Sequence, residues 1–363
     1  MLRFSEENSR SELIRGVTGR MVARRICSGR FVAALSLCSL ILLSCATIPP
    51  SRPADGWLGV LPSLTPDAFY ASMDVASSWS VLKALAEATG SGTGELERLV
   101  VNLDRVHALI RLSPGGSPQP LPELSLIALG QFSPGPVVRQ LNRDPAWQRV
   151  TLEPLPGRDS TSSHWSYRTY WSKKELQIAA PSRGILLVSV SDPTGAEALL
   201  RRLHAPEVQT LPAQVGGAPE SADIFLYVPD PAALSASRRS VSTTQDPGAL
   251  LQNLPLRQAW ISARRYTSEH VAAKADQEDY EVEVVFLLAE VENPRSVELL
   301  LRLMLTLWLR KFQVEDPVET LKAVTIRADS QSARIESLFL SSGEIASVVD
   351  TLLPENLGRS GQP

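Results

Sequence analysis

Residues 184–203 read GILLVSVSDPTGAEALLRRL, and residues 333–353 read ARIESLFLSSGEIASVVDTLL. Each opens with a segment of strand length, crosses a short polar hinge and ends in a segment whose apolar residues recur at helical spacing. In the first stretch Asp192 and Pro193 predict a helix start, because an acceptor for free N–H groups is followed by a residue that lacks one. Ser341 and Ser342 predict the same for a helix reaching Leu353. The two starts lie 149 residues apart. A strand feeding a helix twice at that interval suggests an internal duplication.

Outward from these stretches the order of elements repeats. Phe69–Met73 reads as a strand and Ser78–Ala88 as a helix, ended by the Gly90–Gly94 cluster, with a second amphipathic piece from Glu95 to Leu103. Val106–Leu112 and Leu124–Phe132 read as antiparallel strands, Ser133-Pro134-Gly135-Pro136 opens a helix, and Trp165–Ser172, Glu175–Ala180 and Gly184–Val190 supply three more strands. The later half offers strands at Ile224–Val228, Gln258–Arg264 and Tyr280–Val291, a helix opened by Asn293-Pro294 and running to about Phe312, then strands at Leu321–Ala328 and Ala333–Leu340. This order predicts an α+β protein of two related halves, each an antiparallel sheet with helices on one face. The halves span residues 57–203 and 223–354, joined by a turn-rich linker at 204–222 and followed by a flexible tail at 355–363. A single continuous α+β domain is the alternative.

The chain of 363 residues is 44% hydrophobic and 21% charged, which excludes a collagen-like, disordered or polytopic membrane protein. Its three cysteines, Cys27, Cys38 and Cys45, all precede the predicted elements, so no disulfide or cysteine metal site is available to them. Phe31–Leu43, FVAALSLCSLILL, is an uncharged apolar run behind Arg24, Arg25 and Arg30. It is shorter than the roughly 20 residues a membrane-spanning helix needs. A basic region, an apolar region of this length and a small residue before a cut describe an export signal. Glu6, Glu7 and Glu12 do not suit such a leader, which points to a translation start at Met21.

The run closes in Leu42-Leu43-Ser44-Cys45, which resembles the lipobox of bacterial lipoproteins. The resemblance implies cleavage between Ser44 and Cys45, S-diacylglycerol and N-acyl modification (palmitate among the chains) on Cys45, and attachment to the cell membrane or envelope. Several acyl chains hold a protein where one would not. Ala46 follows where an aspartate would resemble an inner-membrane retention signal, so the protein is expected to face the periplasm or the cell surface. Residues 45–56, with Pro49, Pro50 and Pro53, read as an extended tether. Loss of residues 1–44 removes seven arginines and three glutamates and takes the formal charge from −3 to −7. An acidic body argues against nucleic acid as a partner. The partners expected are the membrane, through Cys45, and an unidentified envelope protein or apolar ligand.

Catalytic patterns are scarce. His107, His164, His204 and His270 form no metal-binding doublet, Asp104 and His107 need not face one another, and no GxSxG turn occurs. Gly90-Ser91-Gly92-Thr93-Gly94 lacks the Lys-Ser/Thr of a phosphate loop, and Asp276, Glu278, Asp279 and Glu281 lack calcium-loop spacing. No cofactor, metal or catalytic residue is expected, and the protein reads as a non-catalytic binding or structural module. The segment Ser296–Phe312, SVELLLRLMLTLWLRKF, is the most unusual element. Glu298, Arg302, Thr306 and Arg310 form one polar stripe, with Glu298 able to pair with Arg302, and nearly all else is apolar. It reads as a central helix packed between layers, or as a helix whose Met304, Leu305 and Trp308 line an apolar groove for a lipid or peptide. Trp165, Tyr167, Thr169 and Trp171 would share one strand face, either as core or as a recognition strip. An envelope enzyme without a recognisable motif is the remaining alternative.

Overall fold

The computed structural model describes residues 54–88, 102–111, 122–153, 168–215, 218–231, 254–266, 279–311, 314 and 317–352. The expected strands are β1 (Ala68–Asp74), β2 (Leu103–Arg111), β3 (Glu123–Gly130), β5 (Thr169–Lys173), β6 (Leu176–Ser182), β7 (Ile185–Val190), β8 (Ile224–Val228), β9 (Leu256–Tyr266), β10 (Asp279–Leu288), β11 (Thr325–Ala328) and β12 (Ser332–Ser341). A short strand without a sequence signal, β4 (Gln148–Thr151), completes the set among the described residues. All twelve join one antiparallel sheet in the order β11-β12-β10-β9-β8-β1-β2-β3-β7-β6-β5-β4. From the central β1·β8 pair, the orders β1-β2-β3-β7-β6 and β8-β9-β10-β12-β11 run outward alike. The mixed α+β class with a large antiparallel sheet is the one expected.

The helices are α1 (Ala54–Leu58), α2 (Trp79–Ala88), α3 (Pro134–Arg143), α4 (Gly195–His204), α5 (Ala218–Ser221), α6 (Pro294–Lys311), α7 (Pro317–Ala323) and α8 (Ser342–Leu352). The starts of α3, α6 and α8 follow the predicted chemistry, whereas α4 begins at Gly195, past Pro193, with Thr194 rather than Asp192 in the capping position. Asp192 Oδ1 accepts the Thr194 N–H and hydroxyl just ahead of α4. At α8, Ser341 and Glu344 form a reciprocal capping box, with the Ser341 N–H donating to Glu344 Oε2 at 2.7 Å and the Glu344 N–H to Ser341 Oγ at 3.3 Å. Pro181 cannot donate to the ladder, and the β6·β7 register shifts between Ala179 and Ser182. The segment read as a strand from Leu321 begins instead inside α7, and only from Thr325 does it become β11. Pro317 supplies the helix start there, at a position whose missing N–H costs nothing.

The register divides the side chains between two faces of the sheet. Tyr70, Leu109, Ile127, Leu187, Phe225, Trp260 and Val285 point to the front, where they pack with Trp57, Leu58 and the α4 residues Leu199, Leu200 and Leu203. On the back, α3 packs over Trp171, Ile178 and Val188, while α6 packs Val297, Leu301, Leu305 and Leu309 over Ala263, Val282 and Phe286. Helix α2, from the first half, places Val81 in that same cluster and packs against α8. In the second half the helices lie on the back, as expected; in the first half α3 lies on the back and α4 on the front. The sequence carries the reason. Strand β7, ILLVSV, is apolar on both sides and buried almost throughout, so it requires cover on both. Strand β12 alternates, and its Arg334 and Glu336 face the front toward Glu283 and Arg327 at 3.7 and 4.0 Å.

Neither the tether nor the linker is bare chain where it is described. Residues 54–58 form α1, and Trp57 and Leu58 are buried. Within 204–222, Val215 and Ala222 join the front core and α5 forms a turn of helix.

Candidate functional site

Helix α6 is apolar over more than one stripe, and burial separates its residues into three sets. Val297, Leu301, Leu305 and Leu309, four apart in chain, seat against the sheet. Leu300, Met304 and Trp308 flank that row, half-buried against the same cluster. Leu299 is 67% exposed and Leu303 50%, so the apolar surface that α6 leaves open lies on the 299/303 row, one residue N-terminal to the row of Leu300 and Met304, and not at the predicted Met304, Leu305 and Trp308. Of those three, Leu305 is a core residue at 3% exposure. Val318 on the adjoining α7 is exposed as well. Such a ridge beside a polar stripe can contact an apolar partner or ligand.

Glu298 takes a different partner from the expected Arg302. Its Oε1 accepts the backbone N–H of Ala328 at 3.0 Å. Ala328 lies on β11, the edge strand of the sheet, so the carboxylate satisfies a donor that would otherwise be open to strand addition. Thr306 Oγ1 donates to the Arg302 carbonyl at 2.7 Å within the helix.

A polar group lies at the centre of the front core. His107 is 1% exposed, its Nδ1 is 2.8 Å from Tyr70 Oη, and Trp57 and Tyr70 stack near its ring at centroid distances of 6.4 and 6.2 Å. Burial, helped by the Arg105 charge, pushes its pKa down to about 3, so the imidazole is neutral at ordinary pH. A neutral ring whose Nδ1 faces a buried phenol is suited to fixing α1 and β1 against β2. Ser72, its cross-strand neighbour, is also buried. Asp104 sits at the register shift between Leu103 and Arg105 and is held above the usual carboxylate range by burial and the nearby Asp74 charge. His204 lies in the last turn of α4; His164 and His270 are outside the described residues.

The aromatic strip resolves in part. Thr169 and Trp171 share the back face of β5 and are buried, Trp171 donating its Nε1–H to Asn142 Oδ1 at 2.9 Å. Trp171 is therefore core, whereas Trp165 and Tyr167 lie outside the described residues. Trp147 joins the same cluster, with the Lys173 ammonium 5.7 Å from its ring centroid and 2.9 Å from Asp144. Cys45, Ser44 and the Gly90–Gly94 cluster likewise fall outside the described residues. Among the described residues no group of three or more His, Cys, Asp or Glu is arranged to hold a metal, and no helix is long and apolar enough to cross a membrane.

No protein-family model matches the chain, and no curated protein matches it. Solved structures do. Crystal form III of TP0453 aligns with a TM-score of 0.53 at 15% identity, covering 83% of this chain and 98% of that one. Crystal forms I and IV of TP0453 each align with a TM-score of 0.52, at 15% and 14% identity, over 82% and 80% of this chain and 97% and 95% of theirs. At such identities the likeness shows a shared fold.

Proposed function

We propose that this chain is a lipid-anchored protein of the bacterial cell envelope whose folded body is a non-catalytic binding or structural module. The observation that carries the reading is Leu42-Leu43-Ser44-Cys45 at the end of an uncharged apolar run behind three arginines. The body's acidic balance after loss of residues 1–44 leaves the lipid, not charge, as the means of membrane attachment. Replacing Cys45 by Ala tests this directly. Metabolic labelling with palmitate is expected to mark the wild type and not the variant, and fractionation to move the variant out of the membrane pellet. A Cys45→Ala protein that stays membrane-bound and labelled would refute the anchor.

A second reading rests on α6. Its exposed Leu299 and Leu303, next to half-buried Met304 and Trp308, supply an apolar surface for a lipid or peptide ligand. Native mass spectrometry of the protein lacking residues 1–44 should then show a bound mass that Leu303→Glu removes, and a consistently empty protein would count against a carrier role.

A further inference from the structure

Residues 205–211, APEVQTL, leave the end of α4 and run beside the first folded segment after the tether. Four hydrogen bonds fasten the two. The Glu207 N–H donates to the Gly59 carbonyl at 3.0 Å, Gln209 Nε2 to the Leu61 carbonyl at 3.1 Å, the Leu64 N–H to Gln209 Oε1 at 3.3 Å, and Ser63 Oγ to Glu207 Oε2 at 3.2 Å. The backbones approach so closely that a Cβ on Gly59 would come within 2.4 Å of the Glu207 carbonyl oxygen. Glu207, the sole charge of the loop, is matched by Arg202 at 3.1 Å. What projects beyond these contacts is uncharged: Ala205 and Pro206 are exposed, and Val208, at 97%, is the most exposed large apolar side chain among the described residues.

The position of this loop along the chain gives it an occupant. Nine residue steps separate Cys45 from Ala54, where α1 begins, and a fully extended chain of that length reaches roughly 30 Å. Twelve strands at the usual spacing span roughly 50 Å. Helix α1 lies over β1 and β2 at the middle of that sheet, with Trp57 beside His107, so either edge stands roughly 25 Å from it, whereas the 205–211 loop abuts residues 59–64 directly after it. We infer that the 205–211 loop is the surface the lipid anchor holds against the membrane, with Ala205, Pro206 and Val208 entering the headgroup region. The contact rests on the lipidation of Cys45 proposed above and adds to it an orientation: the front of the sheet near α1 and α4 meets the lipid, and α7 on the back does not. A neutralised loop with an apolar tip suits a lipid surface, since burying it there leaves no unpaired charge.

The test uses the lipidated, mature protein purified from membranes and carrying Val208→Cys. With the thiol of Cys45 occupied by lipid, the introduced cysteine is the only free thiol after residues 1–44 are lost. An environment-sensitive fluorophore is attached there and, in a second protein, at Val318→Cys on α7, which is 57% exposed. Both are placed in phosphatidylcholine/phosphatidylglycerol vesicles with or without headgroup-proximal spin-labelled lipid. The label at 208 is expected to shift to the blue and lose roughly half its emission to the quencher, while that at 318 keeps its aqueous spectrum. Protein that floats with the vesicles yet leaves the 208 label aqueous, or that quenches at 318 instead, overturns the orientation while the anchor stands. Protein that does not float overturns the anchor and the orientation with it.

Discussion

Acidification is expected to weaken this protein through His107 in a window that follows from its burial. In the unfolded chain the imidazole takes up its proton near pH 6.5, whereas in the fold it does so only near 3, because the ring is enclosed by Trp57 and Tyr70 with Arg105 nearby. Below pH 6.5 the unfolded state therefore binds more protons than the folded one, and stability declines until the pH passes below the folded value. Between those limits one residue contributes a loss of about 2 kcal/mol at pH 5 and about 3 kcal/mol at pH 4. His107→Gln removes the titration and leaves an amide oxygen able to accept from Tyr70 Oη. Urea unfolding, followed by tryptophan fluorescence at pH 7, 5 and 4, should show the variant less stable than the wild type at pH 7 and the gap closing, then reversing, as the pH falls. Carboxylates elsewhere titrate alike in both proteins, so the difference isolates His107. Parallel decline of the two proteins from pH 7 to 4 would refute the account of a buried neutral imidazole.

Four further substitutions probe the packing. Gly130→Ala would put a Cβ 1.9 Å from the Asn102 carbonyl oxygen, a backbone atom that cannot swing aside, and a loss of about 3 kcal/mol in unfolding free energy is expected from urea denaturation. On α6, Leu305→Ala should cost about 3 kcal/mol through the cavity it leaves, while Leu299→Ala, on the exposed ridge, should cost less than about 0.5 kcal/mol. Equal effects at the two positions would mean that the helix is turned differently from the structure. Glu298→Ala frees the outer N–H of Ala328, and hydrogen exchange at that amide should accelerate while the global unfolding midpoint changes little.

Much of the fold was legible because each element carries its own local signal. The run ILLVSV and the Ser341-Ser342 start act over a few residues, and strand and helix form where that chemistry predicts, while the Asp192-Pro193 signal places the start of α4 to within two residues. The elements missed lack such signals. QRVT of β4 is short and mostly exposed, and it becomes a strand because β5 lies beside it. Residues 317–323 carry apolar residues compatible with either period, and packing beside α6 decides for helix. The candidate site was half legible: the composition of α6 marked it as unusual, but an apolar helix does not declare which of its faces meets the sheet. Leu305 is apolar like Met304 and Trp308, and only the register of α6 on β9 and β10 separates it into the core.

Taken by itself, the amino-acid sequence determined the α+β class, the two starts 149 residues apart and the scarcity of catalytic patterns, and it carries the lipobox-like Leu42-Leu43-Ser44-Cys45 on which the proposed anchor rests, since all of these are written in contiguous residues. Tertiary structure decided what depends on residues distant in chain. It joined the strands into one sheet through β1 and β8, and it placed Val81 of the first half in the core of the second. It also enclosed His107 beneath Trp57, and tied the segment after the tether to a loop 144 residues away through Ser63 and Glu207. Burial and long-range hydrogen bonding are properties of neighbours in space, and no local pattern of residues encodes who those neighbours will be.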